Sequence, residues 1–275
     1  MRKLAALFIF GLLSAAAQAQ NRSVGEAYVK DGIPCIIVRT DRSGDHGLVM
    51  SLLPTVKARK AASKSGEQRW FFTHPRLSDA DFEQQGNYYA DYYDSMKSGE
   101  SMRIRTSGVA TGQRITTTQH GREATRNVAA FCAERGIDME TYFPEYHWAI
   151  SLGQGWFIPG AGELKYFARL LGYDGLGDEY AKGIFKARKD YRAANDRFKA
   201  SLHNLPPDEA ALFSEVETDI YLFYNILVSS TITFNRHADD IGPLSLVKLS
   251  QEATSREWWD MAHIAVSAVC AMSEF

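Results

Sequence analysis

Residues 155–164 read GWFIPGAGEL, and we call them the decisive stretch because an apolar triplet, a proline and a helix start follow one another directly. Its glycines do not match a phosphate-binding loop. Gly160 and Gly162 are followed by Lys165, where the pattern G-x-G-x-x-G requires its third glycine, and no G-K-[ST] sequence follows. We therefore interpret the stretch as a structural turn, and we expect no bound cofactor.

The backbone properties of the proline and the glycines explain the turn. Pro159 fixes its own φ and directs the preceding residue towards extended geometry. Gly160 and Gly162 permit a sharp reversal before a helix that begins near Glu163. The apolar triplet, residues 156–158, would place large apolar side chains in the core just before this reversal. The residues that we expect to form this structural motif are Trp156, Pro159, Gly160, Gly162, Glu163 and Leu164.

The first residues, MRKLAALFIFGLLSAAAQAQ, have the three parts of a secretory signal peptide. A basic start is followed by an apolar run and by small residues up to Ala19, where we expect cleavage. No later stretch reaches the roughly 18 apolar residues that a membrane helix needs. We therefore expect a signal peptide at 1–19 and an exported protein that is periplasmic, secreted or at the cell surface.

The composition is typical of a globular protein, with 45% hydrophobic residues, 23% charged residues and a formal net charge of −2. It excludes the disordered and fibrous classes. The near-neutral charge argues against a nucleic-acid partner, which requires a strongly basic face.

Known catalytic and metal-binding patterns do not occur in the sequence. H-E-x-x-H, G-x-S-x-G, C-x-x-C and an EF-hand loop are all absent, and the 7 histidines are not spaced as zinc ligands. A triad assembled from distant segments stays open, since its members need not be neighbours in the chain. We predict no catalytic residues and no metal.

Hydrophobic periodicity predicts a mixture of strands and helices. The predicted strands cover residues 32–40, 46–54, 226–234, 243–250 and 263–272, the first two forming a hairpin around DRSGD. The predicted helices cover residues 79–97, 122–135, 164–171, 181–202 and 208–225. Gly136 ends the second helix. Residues 55–68 have no apolar period, so we predict a loop or a weak helix there.

The helix at 79–97 carries four tyrosines, which form two neighbouring stripes: Tyr88, Tyr89, Tyr92 and Tyr93. A tyrosine offers an apolar face and a polar tip, so this ladder could stack against sugar rings. Ordinary core packing with the hydroxyls at the surface is the alternative. We treat the four tyrosines as candidate binding residues.

Four motifs occur along the chain in the order in which one protein family has them. They are GDHGLVMSL at 44–52, GREATRN at 121–127, WAISLGQGWFIPGAGELKYF at 148–167 and VSSTITF at 228–234. The chain resembles the Fibrobacter succinogenes major paralogue-type domain, in the C-type-lectin-like and sulfatase-modifying-factor-like group of exported bacterial proteins. Ile232 departs from the family pattern, which has an acidic residue there, and Ser267 and Cys270 stand where arginines are usual. The calcium-binding signatures of true C-type lectins are also absent.

The resemblance implies an α+β fold in which a twisted, mostly antiparallel sheet of C-type-lectin-like topology is flanked by helices. It implies one domain over 20–275, with insertions at about 67–112 and 173–222. In such folds the first and last strands pair antiparallel, which implies a disulfide between Cys35 and Cys270.

For function, we expect an exported, non-catalytic binding or surface-structural module that recognises a glycan or a protein at the cell surface. Ser229, Ser230 and Thr231 are further candidate binding residues, since they fall in one of the family-like motifs. Two alternatives stay open. One is a fimbrial or surface-assembly subunit, and the other is an enzyme like the formylglycine-generating oxidases, which needs a reactive cysteine pair.

Overall fold

The structure is a computed structural model. It describes residues 22–53, 59–62, 68–71, 78–95, 103–106, 120–170, 191–216, 226–228, 230, 232–235, 246–248 and 268–275. The segment predicted as a signal peptide, residues 1–19, lies outside these residues. Within them, no helix has the length and apolar character needed to cross a bilayer.

Strands lie mainly towards both ends of the described part of the chain, and most helices lie between them. The strands are β1 Ala27–Lys30, β2 Ile33–Thr40, β3 Gly47–Ser51, β4 Arg59–Ala62, β5 Gln68–Phe71, β6 Arg103–Thr106, β7 Ile226–Val228, β8 Ile232–Asn235, β9 Leu246–Lys248, β10 Ala268–Val269 and β11 Met272–Glu274. The helices are α1 Asp79–Ser95, α2 Gly121–Arg135, α3 Met139–Tyr142, α4 Pro144–Ser151, α5 Ala161–Leu170, α6 Tyr191–Ser201 and α7 Pro207–Ala211, with 3₁₀ turns at Leu202–Asn204 and Leu212–Glu215. The predicted α+β class is confirmed.

The largest sheet among the described residues has four antiparallel strands in the order β1-β2-β3-β11. The predicted hairpin is confirmed, since β2 and β3 pair with Cys35 opposite Ser51. The last strand, β11, returns to this sheet and pairs with β3, with Met272 opposite Met50. The N-terminal and C-terminal parts of the described chain therefore share one sheet.

Helices cover both faces of this sheet because the buried strand side chains alternate in direction. On one face, Ile36, Met50 and Met272 join a cluster with residues of α5 and α6. On the other face, Ile37 and Val49 join a cluster with residues of α1, α2 and α4. The sheet is thus the middle layer between two helical layers, which is why nearly all of β2 and β3 is buried.

The side chains of the apolar triplet in the decisive stretch pack into both helical layers, as expected of a segment that contributes large apolar side chains to the core. Phe157 exchanges two backbone hydrogen bonds with Met272, at 3.0 and 2.9 Å, so the triplet lies along the outer edge of β11. Trp156 and Ile158 point into one cluster and Phe157 into the other. An extended backbone next to the sheet produces this alternation.

The turn after the triplet differs in detail from its prediction. Helix α5 begins at Ala161, so Gly162 is already helical. Among the described glycines, the left-handed ones near this stretch are Gly153 and Gly155, with φ of 127° and 89°, and Gly160 is not one of them. Gly160 instead caps α5, because its carbonyl accepts the N–H groups of the third and fourth helical residues. The reversal therefore needs no left-handed glycine after the proline.

Two further differences concern strands. Within residues 55–68, predicted as loop or weak helix, the described residues 59–62 and 68 belong to the antiparallel strands β4 and β5, in which Arg59 lies opposite Phe71. Strand β1 had no sequence prediction, and it lies at the sheet edge beside β2. The predicted helices at 79–97 and 122–135 are confirmed as α1 and α2, and Gly136 ends α2 in the left-handed region with φ of 64°.

The implied disulfide between Cys35 and Cys270 does not form, since both cysteines are free and buried. Strand β3 lies between β2 and β11. Two strand spacings amount to about 10 Å, whereas bonded cysteines have Cα atoms within about 7 Å. The two thiols also belong to the clusters on opposite faces of the sheet. We therefore correct this prediction.

We expect Ellman's reagent to titrate three thiols in denaturant without reductant, and none in the native protein over minutes. Burial raises the pKa of the Cys35 and Cys270 thiols, and that of Cys132 to about 12, so the reactive thiolate is scarce. Fewer than three thiols in denaturant would reveal a disulfide and contradict the structure.

Candidate functional site

A buried carboxylate joins the decisive stretch to the first turn of α2. Oε2 of Glu163 accepts the backbone N–H of Gly160 at 2.7 Å and that of Gly121 at 3.1 Å. The first bond is the backward half of a capping box, in which the third helical residue binds the N–H of the capping residue. The second bond supplies an acceptor to α2, whose own capping residue, His120, gives no side-chain hydrogen bond. We call this arrangement the Glu163 junction.

The junction requires a glycine at 121. A Cβ added there would lie 2.4 Å from the carbonyl oxygen of Ile158, 2.5 Å from Oε2 of Glu163 and 2.8 Å from the nitrogen of Gly160. Close approach of backbone to backbone is a common reason for glycine. The family-like motifs GREATRN and GWFIPGAGEL therefore meet in space at this glycine.

The surroundings of Glu163 make it a weaker acid than usual. Its side chain is buried, with 7% of the residue exposed. This burial raises the pKa of Glu163 to about 7, against the opposing effects of the two N–H groups and of the Arg39 and Arg122 guanidinium groups. Desolvation wins because a carboxylate loses most of its hydration when it is buried.

The two arginines extend from the junction towards the surface. The guanidinium of Arg39 stacks over the Tyr166 ring at 5.2 Å, and its Nη1 donates to the Tyr166 hydroxyl at 3.4 Å. Arg122 forms a 3.0 Å ion pair with Glu274. Arg39 and Glu274 both line a surface cleft, so the two arginines connect the junction with that cleft.

This cleft has a volume of about 370 Å³ and is lined by residues 39–41, 46–47 and 274–275. We call it the hairpin cleft, because it lies where the β2–β3 hairpin turns and β11 ends. Thr40 pairs with Gly47, and Glu274 pairs with Leu48, so the sheet fixes three walls of the cleft relative to one another. Its volume falls near the lower end of small-molecule sites, which span roughly 300–1,000 Å³.

Hydrogen bonds order the hairpin turn at the mouth of the cleft. The Asp41 carboxylate accepts the Ser43 hydroxyl at 2.9 Å and the Gly44 N–H at 2.8 Å. The Asp41 N–H donates to the His46 carbonyl at 2.8 Å. The Ser43 hydroxyl, chiefly, lowers the pKa of Asp41, so this exposed acid stays ionised at neutral pH. The turn therefore presents an ionised carboxylate beside an exposed imidazole.

An aromatic pair lies at the rim of the cleft. The Phe275 and Tyr28 rings lie 4.9 Å apart. The guanidinium of Arg22 lies 4.7 Å from the centre of the Tyr28 ring and 5.5 Å from that of Phe275. Polar donors, acceptors and an aromatic ring thus lie together in one cleft, and such a set can both hydrogen-bond and stack against a ligand.

The tyrosines predicted as binding residues do not form an exposed ladder. Tyr92 is buried, with 3% of it exposed, and its ring packs edge-on against Phe131 at 5.3 Å. Tyr88 is partly buried and packs edge-on against Tyr142 at 4.9 Å. The structure removes Tyr92 from the candidates because its ring is enclosed by the core. The side chains of Tyr89 and Tyr93 lie outside what the structure describes.

The structure describes one of the three candidates near β7 and β8, Ser230. Ser230 is buried, with 2% exposed, and its N–H donates to the Pro159 carbonyl at 2.8 Å. We therefore reassign Ser230 from ligand binding to anchoring the decisive stretch. Ser229 and Thr231 lie outside the described residues.

The residues expected to form the structural motif of the decisive stretch contribute to the core or to the turn. Trp156, Pro159, Gly160 and Glu163 are buried. Leu164 is fully buried. Sequence reasoning missed the second partner of Glu163, and it missed the hairpin cleft. The capping-box spacing of Gly160 and Glu163 pointed only to the first partner, Gly160, whereas DRSGD, a polar turn between two buried strands, was a signal for the cleft.

Within the described residues, no group of three or more His, Cys, Asp and Glu side chains is arranged to hold a metal ion. The arrangement at the hairpin cleft is suited to binding through hydrogen bonds, charge and stacking.

We expect the substitution Gly121→Ala to lower the free energy of unfolding by about 2 kcal/mol, because the new methyl group must displace backbone at the junction. Gly136→Ala, at the other end of α2, is the matched control. It meets nothing within 4 Å, and its cost of about 1 kcal/mol comes only from the positive φ. Urea unfolding of both variants measures the difference, and a smaller effect at 121 than at 136 would contradict the crowded junction.

We also expect Glu163 to make the protein less stable as the pH rises. A folded-state pKa of about 7, above the ordinary 4.5, means that the folded state binds the proton more tightly. This stabilisation is complete below pH 4.5 and is lost as the pH rises through 7, up to about 3 kcal/mol. Urea unfolding from pH 4.5 to 8 should show this slope, and Glu163→Gln should remove it. An identical slope in both proteins would contradict the assignment.

The chain was compared with known proteins at the level of families, of curated sequences and of structures. No family model, no curated protein and no solved structure matches it. The resemblance to the Fibrobacter succinogenes major paralogue-type domain therefore stays a prediction, and function has to come from the chemistry of the site.

Proposed function

We propose that this protein is an exported, non-catalytic binding module that takes a small polar ligand, of which a saccharide is the best fit, in the hairpin cleft. The observation that carries the proposal is the composition of the cleft. A guanidinium, an ionised carboxylate and an imidazole converge there with an aromatic ring, within about 370 Å³.

The chemistry of a sugar matches this set of groups. Its hydroxyls both donate and accept hydrogen bonds, which suits Arg39 as a donor and Asp41 as an acceptor. Its apolar C–H face can pack on an aromatic ring such as Phe275. The ordered turn over residues 41–46 supports the proposal, because a preorganised site loses less entropy on binding.

We further propose that the scaffold has C-type-lectin-like topology with helical insertions. Support comes from the antiparallel return of β11 to the N-terminal sheet and from the helices on both of its faces. In this proposal the signal peptide at 1–19 directs export, and the cleft faces the periplasm or the outside of the cell.

Assembly by strand addition, as in a fimbrial subunit, has less support than ligand binding. Strand addition needs an open sheet edge. The outer edge of β11 already bonds Phe157 at Met272, and the Ala27 N–H of β1 donates to Oγ of Ser201 at 2.7 Å. The described chain therefore already contacts each edge of the four-stranded sheet at one residue, Met272 on β11 and Ala27 on β1.

The oxidase-like alternative has no support from the cysteines. That chemistry needs a reactive pair, whereas Cys35 and Cys270 lie on opposite faces of the sheet and Cys132 lies on α2. All three are buried. A buried thiol with a raised pKa is a poor nucleophile at neutral pH.

Saturation-transfer NMR and calorimetry on the mature chain test the proposal, with glucose, galactose, N-acetylglucosamine and glucuronate as probes. We expect at least one sugar to bind with a Kd of about 1 mM or tighter. His46→Ala should weaken its binding about tenfold, because an exposed hydrogen-bonding group of the cleft is lost.

His203→Ala is the matched control, since His203 is also an exposed histidine and lies in a 3₁₀ turn away from the cleft. It should bind the same sugar as tightly as the unmodified protein. Two outcomes would overturn the proposal: no probe binds, or a probe binds equally well to the His46→Ala variant.

A further inference from the structure

The carboxylates of the hairpin cleft have partners, whereas its guanidinium group has none of opposite charge. Glu274 forms an ion pair with Arg122 at 3.0 Å, and Asp41 accepts hydrogen bonds within its own turn. Within the described residues, Arg39 forms no ion pair. We infer that the ligand of this cleft is an acidic saccharide, whose carboxylate binds Arg39. The inference rests on the proposed function and names the class of sugar.

The Arg39 side chain is held in place but has donors left for a ligand. It is partly buried, and its guanidinium lies 5.2 Å from the centre of the Tyr166 ring. Its one hydrogen bond among the described residues runs from Nη1 to the Tyr166 hydroxyl, at 3.4 Å. A guanidinium has five N–H donors in a fixed fork. A carboxylate is the matching acceptor, because its two oxygens accept two parallel N–H bonds.

Glu163 does not supply that carboxylate from within the protein. Arg39 faces it, but the two side chains form no ion pair within 4 Å. The Oε2 atom of Glu163 is instead bonded to the backbone N–H groups of Gly160 and Gly121. The bidentate position on Arg39 is therefore left to a ligand.

A second guanidinium, at the rim of the cleft, adds to the positive charge. Arg22 lies 5.5 Å from the centre of the Phe275 ring and forms no ion pair with a described residue. The exposed Arg42 and Asp45 of the hairpin turn have opposite charges and offset each other. The groups that line the cleft or contact its lining residues comprise three guanidinium groups and two carboxylates: Arg22, Arg39, Arg122, Asp41 and Glu274. This excess of positive charge attracts an anion.

The Phe275 ring favours a sugar acid over a simple anion. Gly47 and Phe275 exchange two backbone hydrogen bonds, at 3.2 and 3.3 Å. A Cβ added to Gly47 would lie 2.8 Å from Cε1 and 2.9 Å from Cζ of the Phe275 ring, so the ring packs directly on the glycine. A ring fixed in this way offers its apolar face to the C–H face of a sugar. A small anion without such a face gains nothing from it.

Calorimetry on the mature chain with glucuronate and glucuronamide tests the inference, because these two sugars differ in charge and hardly in shape. We expect glucuronate to bind at least about tenfold more tightly than glucuronamide or glucose, since a charge-assisted bond replaces a neutral one. Raising the salt concentration from about 0.02 to 0.5 M should reduce this preference, because salt screens exposed charges. Arg39→Gln should abolish the preference.

Two further variants keep the test decisive if Arg39→Gln does not fold. Arg22→Gln should weaken glucuronate binding about threefold and leave glucuronamide binding unchanged, because it removes charge from the rim. Arg135→Gln is the matched control. Arg135 also lies over an aromatic ring, 4.6 Å from the centre of Phe131, but at the other end of α2 from Arg122. This control should retain the full preference for glucuronate.

The outcomes separate this inference from the proposed function. Equal affinities for glucuronate and glucuronamide would overturn the acidic ligand and leave a cleft for neutral sugars. Acetate binding as tightly as glucuronate would also overturn it, because the cleft would then be a site for simple anions. Binding of no sugar at all would overturn both the inference and the proposed function.

Discussion

A single carboxylate oxygen, Oε2 of Glu163, accepts backbone N–H groups from the starts of two helices, α5 and α2. Gly121, the more distant of its two partners, lies 42 positions from Glu163 in the chain. Helix starts carry N–H groups without internal acceptors, and burying them unpaired would be costly. One acid removes two such penalties, and it fixes where both helices begin relative to the sheet.

The decisive stretch depends on this junction and also serves the rest of the fold. Its apolar triplet lies along β11, so its side chains alternate between the two helical layers. The Thr125 hydroxyl accepts the Ile158 N–H at 3.0 Å, and the Pro159 carbonyl accepts the Ser230 N–H. One short segment therefore connects the sheet, α2, α5 and the chain near β7. Gly160 and Glu163, towards the end of the segment, allow the close packing that these contacts need.

Two arginines connect the junction with the hairpin cleft. Arg39 and Arg122 both face Glu163, while Arg39 and Glu274, the ion partner of Arg122, line the cleft. The buried acid Glu163, with a pKa near neutrality, thus faces one arginine that lines the cleft and one whose ion partner lines it. Its burial, and not an unusual partner, sets that pKa, since both arginines act in the opposite direction.

Local sequence patterns were sufficient to predict the hairpin of β2 and β3, the positions of α1 and α2, and the role of Gly136 as a helix stop. These depend on side-chain periodicity and backbone preferences among near neighbours. The tertiary structure was needed to show that Tyr92 is buried, that Cys35 and Cys270 lie on opposite faces of the sheet, that residues 59–62 pair with 68–71, and that Glu163 reaches Gly121. Each of these is set by contacts between residues distant in the chain, and burial and pairing across such distances leave no fixed spacing in the sequence.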